Sequence, residues 1–457
     1  MAARTNGHTL AVLFTGVLLA ALDIAIVGPA LPSIQRAFGV DARALAWVFN
    51  AYILVGLVAA PLLAKLSDRH GRRAIYVASL LTFGVGSLLV AVAPSFGWLL
   101  LGRCVQAAGA GGLLPVAAAV VADTFPRERR GRALGLIGAV FGVAFLLGPL
   151  LGGMLLPYGW QWLFLINLPI LAVLIPASLG LPGAPVAAGR AAFDWPGAAT
   201  LAMLLAALAW GLGHLGGIQE PGAAGMAGLP FLALAAAAAY VFWRAEKRAA
   251  DPILDPALLR SRQLCIVGVI AAATGVVEAG MVFLPLLSVQ AFAVSPSTAS
   301  FMLVPLVGAL IAGSLAAGRL LDKIGAKPVI QSGLLLTALG LLLFTRRPLE
   351  LSGFYAAGVC VGLGLSGLLG APLRFIALEE AGEGRRGAGQ GLLTSFLSIG
   401  RIAGAALIGG AAAAGTSELA GYRHALFVLA FVALAAALAS VALRAQRKRR
   451  LVGDERA

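Results

Sequence analysis

Apolar stretches of about twenty residues, broken by short charged clusters, run along the chain from end to end. Twenty apolar residues make a helix long enough to cross roughly 30 Å of hydrocarbon. Windows of this kind predict fourteen helical spans. Six lie near 9–31, 44–63, 74–93, 97–121, 133–156 and 162–182, and two near 196–216 and 226–243. The last six lie near 264–288, 298–318, 328–345, 352–376, 387–412 and 424–443. The ten-residue alternation of a membrane β-barrel is not seen. The pattern therefore predicts an all-α polytopic membrane protein.

Composition agrees. Of 457 residues, 60% are hydrophobic and 12% charged, against about 45–50% and about 25% in soluble domains. Net charge is +15, and placement gives that surplus its meaning. Lys and Arg concentrate in cytoplasmic loops of membrane proteins. With the N-terminus inside, 26 of the 34 cations fall on the cytoplasmic side. Five fall opposite (Arg36, Arg43, Arg346, Arg347, Arg423), and Arg103, Arg374 and Arg401 remain within spans. Both termini are expected to be cytoplasmic. The basic run Arg444–Arg450 reads as a contact for anionic membrane lipids, and no nucleic-acid partner is expected. Cys104, Cys265 and Cys360 all sit in apolar stretches, so neither disulfides nor a metal site is expected. A predominance of Arg over Lys with abundant Ala and Gly fits a GC-rich bacterium, hence a bacterial cytoplasmic membrane.

A repeat organises the spans. Ala64–Arg73 (AKLSDRHGRR) and Gly318–Lys327 (GRLLDKIGAK) share the pattern small, basic, Leu, any, Asp, basic, any, Gly, any, basic at an offset of 254 residues. Arg129-Arg130-Gly131 and Arg385-Arg386-Gly387 echo each other at 256. Two parallel six-helix halves follow, covering 1–185 and 251–445, with an inserted hairpin in 186–250 and a basic tail in 446–457. Parallel repeats around a midplane site are a transporter architecture.

Acids within a bilayer are costly and need a reason. Asp23 and Glu278 lie well inside spans, 255 residues apart, so they should face each other at similar depth. Burial in low dielectric favours the neutral carboxylic acid, a property a proton carrier uses; a hydrogen-bonded structural role is the alternative. Arg103 falls within one helical turn of the depth of Asp23, so the two can pair. Arg401 lies mid-span, with Glu278 as its one acidic candidate at that depth in the second half, whereas Arg374 can snorkel to the interface. Gly148-Pro149 interrupts a helix, since Pro lacks an N–H and crowds the preceding turn. The cavity candidates are Asn50, Tyr52, Gln106 and Arg401, with Phe141, Phe145 and Met281 as apolar walls.

The chain resembles the major facilitator superfamily, and within it the fourteen-helix drug:proton antiporters. Leu22–Pro32 resembles that family's helix 1 signature, with Gly28 where Asn is usual, and Trp47–Tyr52 its helix 2 start. Asp68, Arg69, Gly71 and Arg72, echoed by Asp322 and Gly325, match the superfamily's loop 2–3 motif, with Ala64 for the leading Gly. Arg103, Gln106 and Gly109 match the helix 4 motif. Gly138, Gly142, Gly148-Pro149 and Gly152-Gly153 match the helix 5 antiporter motif. Trp160-Gln161-Trp162 and Asp194-Trp195-Pro196-Gly197 resemble the starts of helices 6 and 7. The resemblance implies two six-helix bundles plus a two-helix insertion, and proton-driven export of small lipophilic or cationic compounds. It gives Arg103 a part in proton transfer and the repeated loop motif the part of a cytoplasmic latch. The alternatives are an exporter of one dedicated lipid, metabolite or antibiotic and, more remotely, a membrane-embedded lipid enzyme. The enzyme would need a cluster of His, Ser, Cys or acids at an interface, but the four His are dispersed and no H-E-x-x-H or G-x-S-x-G occurs. No G-x-x-x-x-G-K-[ST] loop is present, so the driving force would be an ion gradient. No cofactor is expected, and the unit is expected to be a monomer.

Overall fold

A computed structural model of the chain describes residues 2–125, 140, 143–182, 194–214, 227–249, 252–253, 256–381 and 386–444. All regular structure in them is helical. The principal helices are α1 (Ala2–Phe38), α2 (Trp47–His70), α3 (Arg72–Ala91), α4 (Phe96–Thr124), α5 (Val143–Tyr158), α6 (Trp162–Ser178), α7 (Trp195–Gly213) and α8 (Leu229–Glu246). They continue with α9 (Arg262–Val282), α10 (Val304–Ile324), α11 (Ala326–Phe344), α12 (Leu351–Leu369), α13 (Arg386–Ala414) and α14 (Glu418–Ser440). Among the described residues, twelve helices are long and apolar enough to cross a membrane, and α5 and α6 are shorter apolar helices. The protein is a multi-pass membrane protein.

Side-chain caps open several helices by satisfying N–H groups that have no partner within the helix. Ser95 Oγ accepts from Trp98 N, Ser417 Oγ from Ala420 N, and Asp194 Oδ1 from Gly197 N at 2.9 Å. Several expected spans are broken where a helix restarts, three of them as follows. Phe283 ends α9 before a short helix at Leu284–Phe292, Met302-Leu303 separates Pro296–Phe301 from α10, and Gly370 separates α12 from Ala371–Ala381. Pro285, Pro305 and Pro372 sit in the first turn of the restarted helices, where a missing N–H costs nothing.

Packing repeats with the sequence. In the first six helices α2 and α3 pack on α4, and α3 on α6; in the last six α10 and α11 pack on α12, and α11 on α14. Helices α7 and α8 pair with each other, and α7 lies against both α2 and α13. The start of α14 meets the end of α1, where Gln35 Nε2 donates to Glu418 Oε1 at 2.7 Å. The start of α1 and the end of α14 therefore lie at one face of the bundle, which also carries the turns at 70–72 and 324–326. We call it the basic face.

Candidate functional site

Asp23 on α1 and Arg103 on α4 are both fully buried. Arg103 Nη1 donates to Asp23 Oδ2 at 2.5 Å and to Gln106 Oε1 at 2.6 Å, and its Nε donates to Val48 O at 3.2 Å. Gln106, one turn along α4, turns its amide nitrogen to Asp23 Oδ1 at 2.6 Å and to Ser87 Oγ at 2.8 Å. Asn167 Nδ2 reaches the same hydroxyl at 3.2 Å. The guanidinium lies 4.2 Å from the Tyr52 ring centroid and 5.7 Å from that of Phe164. Helices α1, α2, α3, α4 and α6 thus converge on one carboxylate held on both oxygens. A charge so placed is tolerable only because each oxygen has a charged or polar donor.

The second pair is built differently. Arg401 on α13 grips Glu278 on α9 with two hydrogen bonds, Nε to Oε2 at 2.9 Å and Nη2 to Oε1 at 2.8 Å. The pair is less enclosed, with side-chain exposures of 20% and 10%. Asp23 and Glu278 occupy equivalent repeat positions, but their arginines come from the fourth helix of one set and the fifth of the other. Glu278 forms part of the wall of a cavity between the two sets. The other walls are apolar and include Phe49, Phe145, Pro149, Met281, Leu306 and Leu365. Glu278 is the one ionisable group on the wall among the described residues.

Of the side chains expected to line a cavity, Phe145 and Met281 do so, and Arg401 reaches it through Glu278. Asn50, Tyr52 and Gln106 are instead buried away from it, at 1%, 4% and 0% exposure, with Tyr52 and Gln106 against Arg103. Phe141 and Gly142 lie outside the described residues, as does Gly138. Ser87 and Asn167 were not anticipated, because isolated small polar residues in an apolar stretch carry no periodic signal.

The repeated motif is not a loop. Helix α2 runs through Asp68 and Arg69 to His70, α3 begins at Arg72, and Gly71 alone turns the chain. The same holds at Gly325 between α10 and α11. Their φ values of 93° and 85° lie where a side chain is strained, which explains Gly in both copies. Arg72 pairs with Asp68, and also with Asp123 at 3.1 Å. The last basic residue of each copy caps a sixth helix: Arg73 Nη1 donates to Leu179 O at 3.2 Å, and Lys327 Nζ to Val441 O at 2.7 Å and Leu443 O at 2.8 Å. Cations at C-terminal carbonyls oppose the helix dipole favourably. Asp322 lies in the last turn of α10.

Helix α5 meets both sets. Gly148 packs on the Ala25 backbone of α1, and Gly152 on Pro29 and Ser300, so a methyl group at either would collide. Ser300 Oγ donates to Pro149 O at 2.7 Å, and Ser297 Oγ to Gly153 O at 2.5 Å. The second bond has a backbone cause: residue 157 is Pro and offers no N–H to the Gly153 carbonyl four residues earlier. A hydroxyl from the second set takes that place. With Gln35–Glu418, these bonds join the two sets at the face opposite the basic one.

Known proteins are similar to this chain in sequence and in fold. The family model described as Major Facilitator Superfamily matches residues 13–277 and 264–456. The chain is 35% identical over 417 residues to the uncharacterized MFS-type transporter YfiU of Bacillus subtilis, covering 89% of this chain and 80% of that protein. It is 32% identical over 409 residues to the B. subtilis multidrug transporter protein MdtP (87% and 74% covered). It is 30% identical over 422 residues to the multidrug resistance protein Stp of Mycobacterium tuberculosis (90% and 76% covered). Among solved structures, a bacterial homologue of the human lysosomal transporter Spinster, inward-facing and unoccupied, superposes with a TM-score of 0.69 at 17% identity, over 96% of this chain and 97% of that one. The human organic anion transporter MFSD10 gives 0.64 at 20% identity, over 95% and 99%. Matched over nearly its whole length, with paired buried charges and a cavity between two repeated helix sets, the chain belongs to the Major Facilitator Superfamily and is a membrane transporter, not an enzyme.

Proposed function

We propose that the protein exports small lipophilic or cationic compounds in exchange for protons, by alternating access between two six-helix halves. The observation that carries this reading is the apolar cavity whose one ionisable wall group among the described residues is Glu278. Apolar walls favour lipophilic ligands, and a carboxylate on the wall favours a positive end. A proton on Glu278 would free Arg401 and remove the negative charge, so proton and cation compete for one group. Asp23 would be the second proton site, its release coupled to Arg103 and Gln106. Proton and substrate then favour opposite cavity states, as differential binding requires. In this reading α5 and α6 cross the membrane like the other twelve helices, giving fourteen, and α7–α8 is a hairpin inserted between halves 1–185 and 251–445. The basic face is cytoplasmic, in the inner membrane of a bacterium, and the working unit is a monomer. Relatives described as a multidrug transporter protein and a multidrug resistance protein support breadth of substrate.

The test uses energised inverted membrane vesicles loaded with a pH-sensitive dye. A panel of lipophilic cations and neutral drugs should produce dye recovery that an Asp23→Asn or Glu278→Gln variant lacks. Silence across the panel, with folded protein present, would refute the multidrug reading and leave an exporter of one dedicated lipid, metabolite or antibiotic.

A further inference from the structure

At the face opposite the basic one, a groove opens on the outside of the last six helices. Its described walls come from α13, α14, the end of α7 and the turn after α11, with none from α1–α6. It is therefore separate from the central cavity. Gly421, Ala425 and Leu429 make a buried floor along one face of α14, and Leu407 and Ala411 form the facing strip of α13. From Ala420 to Leu429 the groove follows α14 for about 14 Å at 1.5 Å per residue. Small residues make it deep, and exposed Val428 opens it sideways towards the hydrocarbon.

Its polar end is cationic. Arg347 and His424 line the groove there, and Arg423 adjoins His424 on α14. Arg423 Nε is buried with no hydrogen-bond partner. Among the described residues no acid pairs with either arginine. Glu418, one turn away, is committed to Gln35 and to Gln290, the latter at 3.1 Å. Like charges brought together without a counter-ion destabilise a fold unless an anion completes the cluster. A groove with apolar walls, and with arginines that no acid pairs with among the described residues at its mouth, has the two-part character of one amphiphile.

We propose that this groove holds an anionic phospholipid, its acyl chain along α13 and α14 and its phosphate against Arg347, Arg423 and His424. The proposal stands apart from proton coupling and from the identity of the exported compound. An Arg near a membrane surface strengthens anionic-lipid binding by roughly fivefold, so losing two predicts roughly 25-fold weaker binding.

The experiment titrates phosphatidylglycerol or phosphatidylcholine onto the delipidated full-length protein and counts bound lipids by native mass spectrometry. The wild type should retain one phosphatidylglycerol that the Arg347→Gln/Arg423→Gln variant binds roughly 25-fold more weakly, with phosphatidylcholine unaffected. Ala420→Phe, which fills the trough and keeps the charges, should also lose that lipid. Equal retention by the double variant would overturn the proposal. So would displacement of the lipid by millimolar inorganic phosphate, which would mark a simple anion site. Arg347 is exposed and Arg423 partly so, so the double variant should fold even if Ala420→Phe does not, and its result decides without that variant.

Discussion

Two ion pairs whose acids hold equivalent repeat positions differ in how far water can reach them, and that difference decides what their removal costs. Asp23 and Arg103 are wholly enclosed. Arg103→Ala strands a buried carboxylate, for which the cost is about 3–5 kcal/mol. A fall of that size in denaturant-unfolding stability in detergent is expected, with partial recovery in Arg103→Ala/Asp23→Asn. Arg401→Ala exposes Glu278 to a cavity that already touches it, so a clearly smaller loss should appear in the same assay. Equal losses would show that the enclosure of the first pair is not what makes it costly. Asp23, Arg103, Glu278 and Arg401 were legible in the sequence because a charge in an apolar span demands a partner at its own depth. Gln106 was legible as a polar residue but not in its bearing: a face of α4 cannot be phased without knowing which helices surround it. Ser87 and Asn167 were invisible because a lone small polar residue in an apolar stretch carries no periodic signal.

At the scale of helices, backbone chemistry dictates residue choice. Nothing lies within 4 Å of a methyl group built on Gly71, so Gly71→Ala should cost only the strain of its positive φ, about 1–3 kcal/mol. Thermal unfolding reads that loss directly, and an unchanged midpoint would show that a one-residue turn does not need Gly. Ser297→Ala leaves the Gly153 carbonyl without a donor, a penalty of about 1–3 kcal/mol on the joined arrangement. Spin labels at Arg36 and Thr416, in a background lacking the three cysteines, should then report a larger population with the two sets apart. An unaltered distance distribution would mean that this hydroxyl does not hold them. The spans were readable from hydropathy, since length and apolarity are all that crossing requires. The one-residue turns and the breaks at Phe283, Met302-Leu303 and Gly370 were not. They follow from local backbone geometry that a twenty-residue window averages away.

For the whole molecule, the repeat in sequence reappears as a repeat in packing, and the cavity lies where the two sets meet. The offset of 255 residues between Asp23 and Glu278 already placed one carboxylate in each set. It did not reveal that one would be sealed within its own six helices while the other faces the shared cavity. That asymmetry underlies the division of labour proposed here, with Glu278 shared by proton and substrate and Asp23 titrating within its own set. The most direct measurement is proton flux in proteoliposomes of purified protein under an imposed pH gradient, with and without a lipophilic cation. Wild-type protein should release protons on adding the compound, Glu278→Gln should lose both this flux and binding of the cation, and Asp23→Asn should bind the cation yet move no protons. Substrate-driven proton flux persisting in the double variant would contradict proton coupling through these carboxylates.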